Sequence, residues 1–124
     1  MAVDRELTCI SLPAAANLSA YQFHIVAIDA DGRCALPSGS VGAVIGVLQN
    51  KPAGTAFAAQ VAISGVSRCY AGGSVAAGDC VKSDAAGLAL VTTTAANTIV
   101  GRAISPEATG SGLIFEVLIN PSLY

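Results

Sequence analysis

The chain has 124 residues, a formal net charge of −2 and only 11% charged residues, against 53% hydrophobic ones and no Trp. Its six Lys and Arg residues are scattered without a basic run, which excludes a nucleic-acid partner held through clustered cations. No stretch reaches the roughly 18–20 apolar residues that span a bilayer, so no membrane partner is expected.

Thirty-four Val, Ile, Leu and Phe residues lift the chain above the composition of a disordered one. A chain this short holds one core, and one β domain over residues 1–124 is expected. A free monomer normally keeps soluble with a mixed charged surface. The low charge and abundant Ala therefore predict that part of the surface is covered by another protein. The N-terminal segment Met1–Glu6 is charged and no apolar run follows it, so no secretory signal is read and synthesis in a cytoplasm is expected.

In chain order, short apolar runs alternate with Gly, Asp-Gly, Pro and Ser, the pattern of strands and tight turns. Strands are predicted at Leu7–Leu12 and Tyr21–Asp29, with Tyr21, Phe23, Ile25 and Ala27 on one face. Between them Ala14–Ala20 is the one candidate for a helical turn, capped by Asn17 or Ser19. The turn Asp29-Ala30-Asp31-Gly32 leads to Arg33–Leu36. The run Ala43–Gln49 is apolar on both faces and reads as central. Phe57–Ser64, Gly65–Ala71, Asp79–Ser83, Leu88–Thr93, Thr98–Ile104 and Leu113–Asn120 follow. About ten short strands leave no room for crossover helices, so the fold class is all-β, a small β-barrel or β-sandwich.

An internal echo runs through these strands. Asp29-Ala30-Asp31-Gly32 returns 55 residues later as Asp84-Ala85-Ala86-Gly87, and Ile45-Gly46-Val47 as Val100-Gly101-Arg102. One residue further on, Ala59–Ile63 matches Phe115–Ile119. A two-fold pseudo-symmetric β domain gives this pattern.

No residue set carries catalysis. His24 is the only histidine and is placed within the Tyr21–Asp29 strand, with nothing marking out a Ser-His-Asp trio. The acids beside turns, Asp29, Asp31, Asp79 and Asp84, are of the kind that brace their own backbone. Asp29–Gly32 lacks the further oxygen ligands of a calcium loop. The glycine-rich pieces at 39–42 and 72–74 lack Gly-Lys-Ser/Thr, so no phosphate loop is present. No metal and no cofactor are expected. Cys9, Cys34, Cys69 and Cys80 are far apart and form no close pair of the zinc or redox kind. In their apolar surroundings they read as buried free thiols, and a disulfide formed outside the cytoplasm stays open as the alternative.

The motifs Leu12–Phe23 with Asp29–Gly32, Ile45–Pro52, Val61–Val66 and Ala71–Asp79, then Ser83–Gly87, Val100–Ala103 and Phe115–Leu118, follow one another in a distinctive order. That order resembles a family of tailed-bacteriophage capsid decoration, or cement, proteins, which implies synthesis in a host bacterial cytoplasm. It also implies a structural protein on the outer surface of the virion capsid, commonly a homotrimer, that clamps neighbouring copies of the major capsid protein and has no catalytic residues. The four cysteines and Tyr70 depart from the aliphatic or small residues usual there. Candidate capsid or subunit contacts are Arg5 in an N-terminal arm (residues 1–6), Phe57 in the loop 50–57, Tyr70 in the loop 70–78, and Leu123 and Tyr124 in the tail 120–124, since exposed aromatics serve as interface anchors. The competing reading is a ligand- or glycan-binding β module on a virion surface; three Tyr and no Trp argue against a sugar platform.

Overall fold

A computed structural model gives the fold and describes residues 7–37, 43–94, 97–105, 107–108 and 110–123. Among these residues there are strands and turns and no helix. The strands are β1 (Leu7–Pro13), β2 (Ile25–Ile28), β3 (Cys34–Ala35), β4 (Val44–Leu48), β5 (Ala58–Tyr70), β6 (Val75–Ala76), β7 (Cys80–Ser83), β8 (Ala89–Val91), β9 (Thr98–Ala103), β10 (Glu107–Ala108) and β11 (Ile114–Leu123). Nine of them form one curled sheet in the order β3-β2-β4-β5-β11-β9-β7-β8, with β1 also paired to β5, while β10 pairs with β6 alone. The fold is all-β, as the turn-punctuated sequence requires, and takes the form of a curled, partly closed sheet.

The sheet is built twice. In the first half β1 and β4 flank the N-terminal part of β5, and β2 lies between β3 and β4. In the second half the C-terminal part of β5 and β9 flank β11, and β7 lies between β8 and β9. Each half curls until its ends touch, through the parallel bridges Ala14↔Cys34 and Ala71↔Ala89. The C-terminal part of β5, the counterpart of β1, runs opposite to β1 because β1 is antiparallel to β5. An operation that reverses strand direction therefore relates the halves, as a two-fold rotation does.

Each half also has its own apolar core. Ala14, Leu18, Val26, Cys34, Leu48, Ala59 and Val61 form one cluster. Their counterparts Ala71, Val75, Val81, Ala89, Ala103, Phe115 and Val117 belong to the other, which reaches across the junction to Ile25, Val44, Val47 and Ala62. The turns are duplicated as well. Asp29 Oδ1 accepts the N–H groups of Asp31 and Arg33 at 3.0 and 2.8 Å, and Asp84 Oδ1 those of Ala86 and Leu88 at 2.8 and 2.9 Å. A carboxylate that holds two backbone donors fixes such a turn whatever follows it in sequence.

Gly46 and Gly101 mark equivalent close backbone approaches in the two halves. A Cβ on Gly46 would stand 1.9 Å from the Ala62 carbonyl oxygen, and one on Gly101 at the same distance from that of Leu118. Only glycine lets β4 and β9 lie this close to β5 and β11.

Three expectations are corrected. The strand expected over Tyr21–Asp29 begins only at Ile25; Tyr21–His24 is a turn, with Tyr21 N–H donating to Leu18 O, His24 N–H to Tyr21 O, and Phe23 at φ 63°. The strands expected at Phe57–Ser64 and Gly65–Ala71 are one strand, β5, which passes through Gly65 at φ 100° without ending. The segment 14–20 makes no helical turn; Asn17 Oδ1 instead accepts the Ser19 N–H two residues on, at 3.0 Å. The run 43–49 is central as expected, with β4 between β2 and β5.

Candidate interaction surface

The surface, more than any cavity, distinguishes this molecule. Nine large apolar side chains among the described residues are more than a third exposed, led by Phe57 at 57%, Leu113 at 47% and Ile114 at 46%. These three lie at the starts of β5 and β11, which are equivalent places in the two halves.

Phe57 is held rigidly. Its N–H donates to Gly54 O at 3.2 Å and its carbonyl accepts the Ala14 N–H at 2.8 Å, while Ala56, at φ 68°, donates its N–H to Ala14 O at 2.8 Å. The ring lies over Gly54, whose Cβ position is 3.5 Å from the ring Cε1. Asn50 pins the loop base, its amide donating to Ala58 O and its Oδ1 accepting the Gln60 N–H, both at 2.9 Å. Leu113 is held by the same scheme: its carbonyl accepts the Ala71 N–H at 2.7 Å, and Gly112, at φ 84°, donates its N–H to Ala71 O at 2.7 Å.

Tyr70 is the last residue of β5, not part of a loop, and it is half-buried. Its N–H donates to Phe23 O at 3.0 Å, and its ring lies 5.2 Å from the imidazole of His24, which meets Tyr21 edge-on at 5.3 Å. His24 Nδ1 is 3.1 Å from Gln22 O, a carbonyl that can only accept, so Nδ1 carries the proton. The histidine thus serves as packing between two tyrosines where the halves join. In the sheet register Tyr70 faces Ile114, as Pro13 faces Ala58 in the other half.

Of the other expected contacts, Arg5 and Tyr124 lie outside the described residues. Leu123 closes β11 with its backbone opposite Thr98. The structure therefore places Phe57 and Tyr70 in different halves and does not bring the five candidates together. Sequence reasoning missed Leu113, Ile114 and Pro13. The 56-residue echo that aligns Ala59–Ile63 with Phe115–Ile119 carries Phe57 onto Leu113, and was the signal that could have found it.

All four cysteines are free, with Cys34 and Cys69 buried and Cys9 and Cys80 half-buried. Burial pushes the Cys69 thiol up to about 12 and the Cys34 thiol to about 11, so these sulfurs act as small apolar fillers. Among the described residues no group of three or more His, Cys, Asp or Glu side chains could hold a metal. Open depressions are found among the described residues. One of about 380 Å³ lies over Gly101, Arg102, Leu118 and Ser122, and one of about 330 Å³ lies at the junction of the halves beside Leu7, Phe23 and Arg68. Arg102 spans toward Gly78, donating from Nη1 to its carbonyl at 2.7 Å, and Arg33 is paired with Asp29 and Asp31.

Comparison with known proteins gives two findings. The model of a family described as phage cement protein matches residues 8–119. Among solved structures, the crystal structure of the N base of head fiber gp8.5 in bacteriophage phi29 superposes with a TM-score of 0.69 at 17% identity, over 96% of this chain and 98% of that one. That likeness shows a shared fold. No curated protein matches the sequence.

Proposed function

This chain belongs to the phage cement protein family, and on that footing we propose that it binds the outer surface of a phage head and stabilises the junctions between its major capsid proteins. It does so as a structural protein without a catalytic step, in many copies and as a homotrimer. The observation that carries this reading is the set of exposed apolar side chains, Phe57, Leu113, Ile114 and Leu118 among them, on a chain with 11% charged residues. A monomer gains nothing by wetting such residues, whereas a protein seated on a capsid removes them from water. Each contact can be weak, because symmetry repeats it over the whole head.

The test is reconstitution. Purified chain is mixed with heads that lack it, and copy number and heat resistance of the heads are measured. Saturation at a symmetric stoichiometry, together with a raised disruption temperature, is the expected result. Absence of binding to heads, or binding that leaves their heat resistance unchanged, would overturn the proposal. Light scattering on the free chain checks the trimer, and a monomer at high concentration refutes pre-assembly.

A further inference from the structure

Two apolar patches occupy equivalent positions in the two halves. One consists of Pro13, Phe57 and Ala58, the other of Tyr70, Leu113 and Ile114. Pro13↔Ala58 and Tyr70↔Ile114 are matching cross-strand pairs. Phe57 and Leu113 leave matching turns, each preceded by a residue in the left-handed region and each locked by the same pair of backbone hydrogen bonds to Ala14 or Ala71. No charged side chain belongs to either patch. Five of the six residues are exposed, and only Tyr70 is half-buried.

Their placement is also fixed. Ala58 and Tyr70 are the two ends of β5, so at about 3.3 Å per residue the patches stand up to about 40 Å apart. Ala58 precedes buried Ala59, which belongs to the first core, and Tyr70 follows buried Cys69, which belongs to the second. Each patch therefore points away from the core of its own half, at opposite ends of one long strand.

A surface repeated within one chain is made to meet a surface repeated in its partner. We infer that one molecule of this protein bridges two copies of the same partner, seating Phe57 in an apolar pocket of one copy and Leu113 in the same pocket of the next. The inference rests on the proposed function, which makes that partner the major capsid protein. It adds that the contact is bivalent within each chain, so that losing one patch removes the effective-concentration gain as well as a contact.

A photo-crosslinking amino acid is placed at position 57 in one variant and at position 113 in another, and each is bound to heads that lack the protein. Both positions are exposed, so the fold tolerates the change, and circular dichroism verifies it. Cross-links from both positions to one and the same peptide of the capsid protein are expected. In parallel, Phe57→Ala and Leu113→Ala each weaken head binding by about 100-fold, and the two losses match within about threefold. Cross-links to two different peptides, or to a second copy of this chain, would overturn the inference. So would a variant that binds as well as the wild type. If the wild-type chain itself fails to bind heads, the proposed function falls and this inference with it; if it binds and the cross-links disagree, the inference falls alone.

Discussion

Replacing Gly46 by Ala tests the duplicated fold at its tightest point. The new Cβ would stand 1.9 Å from the Ala62 carbonyl oxygen and 2.9 Å from its carbon, so the clash is with backbone on both sides and no rotamer relieves it. Strand β4 must move off β5 by more than 1 Å, which breaks the ladder at Val47 and Leu48. Overpacking strain of roughly 1–3 kcal/mol and two ladder hydrogen bonds at about 1 kcal/mol each give a loss of about 3–5 kcal/mol. Against a total stability of about 5–15 kcal/mol, that is a large share. Urea unfolding followed by circular dichroism reads it as a midpoint lowered by about 2–3 M, taking a slope near 1.5 kcal/mol per M. Gly101→Ala must do the same, because its Cβ meets Leu118 O at the same 1.9 Å. Gly73→Ala is the control: its Cβ finds Leu90 Cδ2 at an ordinary 3.8 Å, and it changes stability by about 0.5 kcal/mol or less. Loss of under 1 kcal/mol in Gly46→Ala, or a large loss at one glycine and none at the other, would refute the reasoning.

Three further outcomes are expected. Ala56 sits at φ 68° where its counterpart is Gly112; relief of roughly 1–2 kcal/mol of left-handed strain, less glycine's greater chain entropy, makes Ala56→Gly more stable by about 0.5–1 kcal/mol in the same urea assay. The Arg33 backbone N–H bound to the Asp29 carboxylate, with the Arg33 charge beside it, holds that acid below the usual carboxylate range. A depressed folded value contributes stability that is full above about pH 4 and is lost as pH falls through the folded value. Asp29→Asn, which keeps the acceptor, therefore flattens the acid limb of a plot of Tm against pH. Finally, alkylation of the native protein at pH 8, mapped by mass spectrometry, modifies half-buried Cys9 and Cys80 first and leaves Cys34 and Cys69 unmodified until the chain unfolds, since burial holds their thiols at about 11 and about 12.

Much of the fold was legible because local chemistry decides it. The Asp-x-x-Gly turns and the apolar run of β4 each specify their structure within a few residues. The Tyr21–His24 segment was misread because its alternating side chains suit a strand, while the positive φ of Phe23 is set by distant partners: its N–H is claimed by Leu48 O. Gly65 reads as a break in sequence, yet the ladder from β1 and the ladder from β11 meet there, with Leu7 and Ile119 both opposite it, and that pairing carries β5 through. The two-residue strands β6 and β10 exist only by pairing with each other, which no local pattern announces. On the surface, Phe57 was visible as an aromatic in a polar loop. Leu113 was not, because a leucine before an apolar strand looks like core until its place in the repeat is known.

The length of β5 has a mechanical consequence. Its thirteen residues join the two ends of the molecule by a backbone already drawn out near its contour length, about 3.3 of at most 3.6 Å per residue. Tension applied between those ends meets covalent bonds directly, with only the bend at Gly65 to give slack. A packed interface between two separate halves would slide or peel under the same load; a single strand shared by both acts as a tie-rod of fixed length.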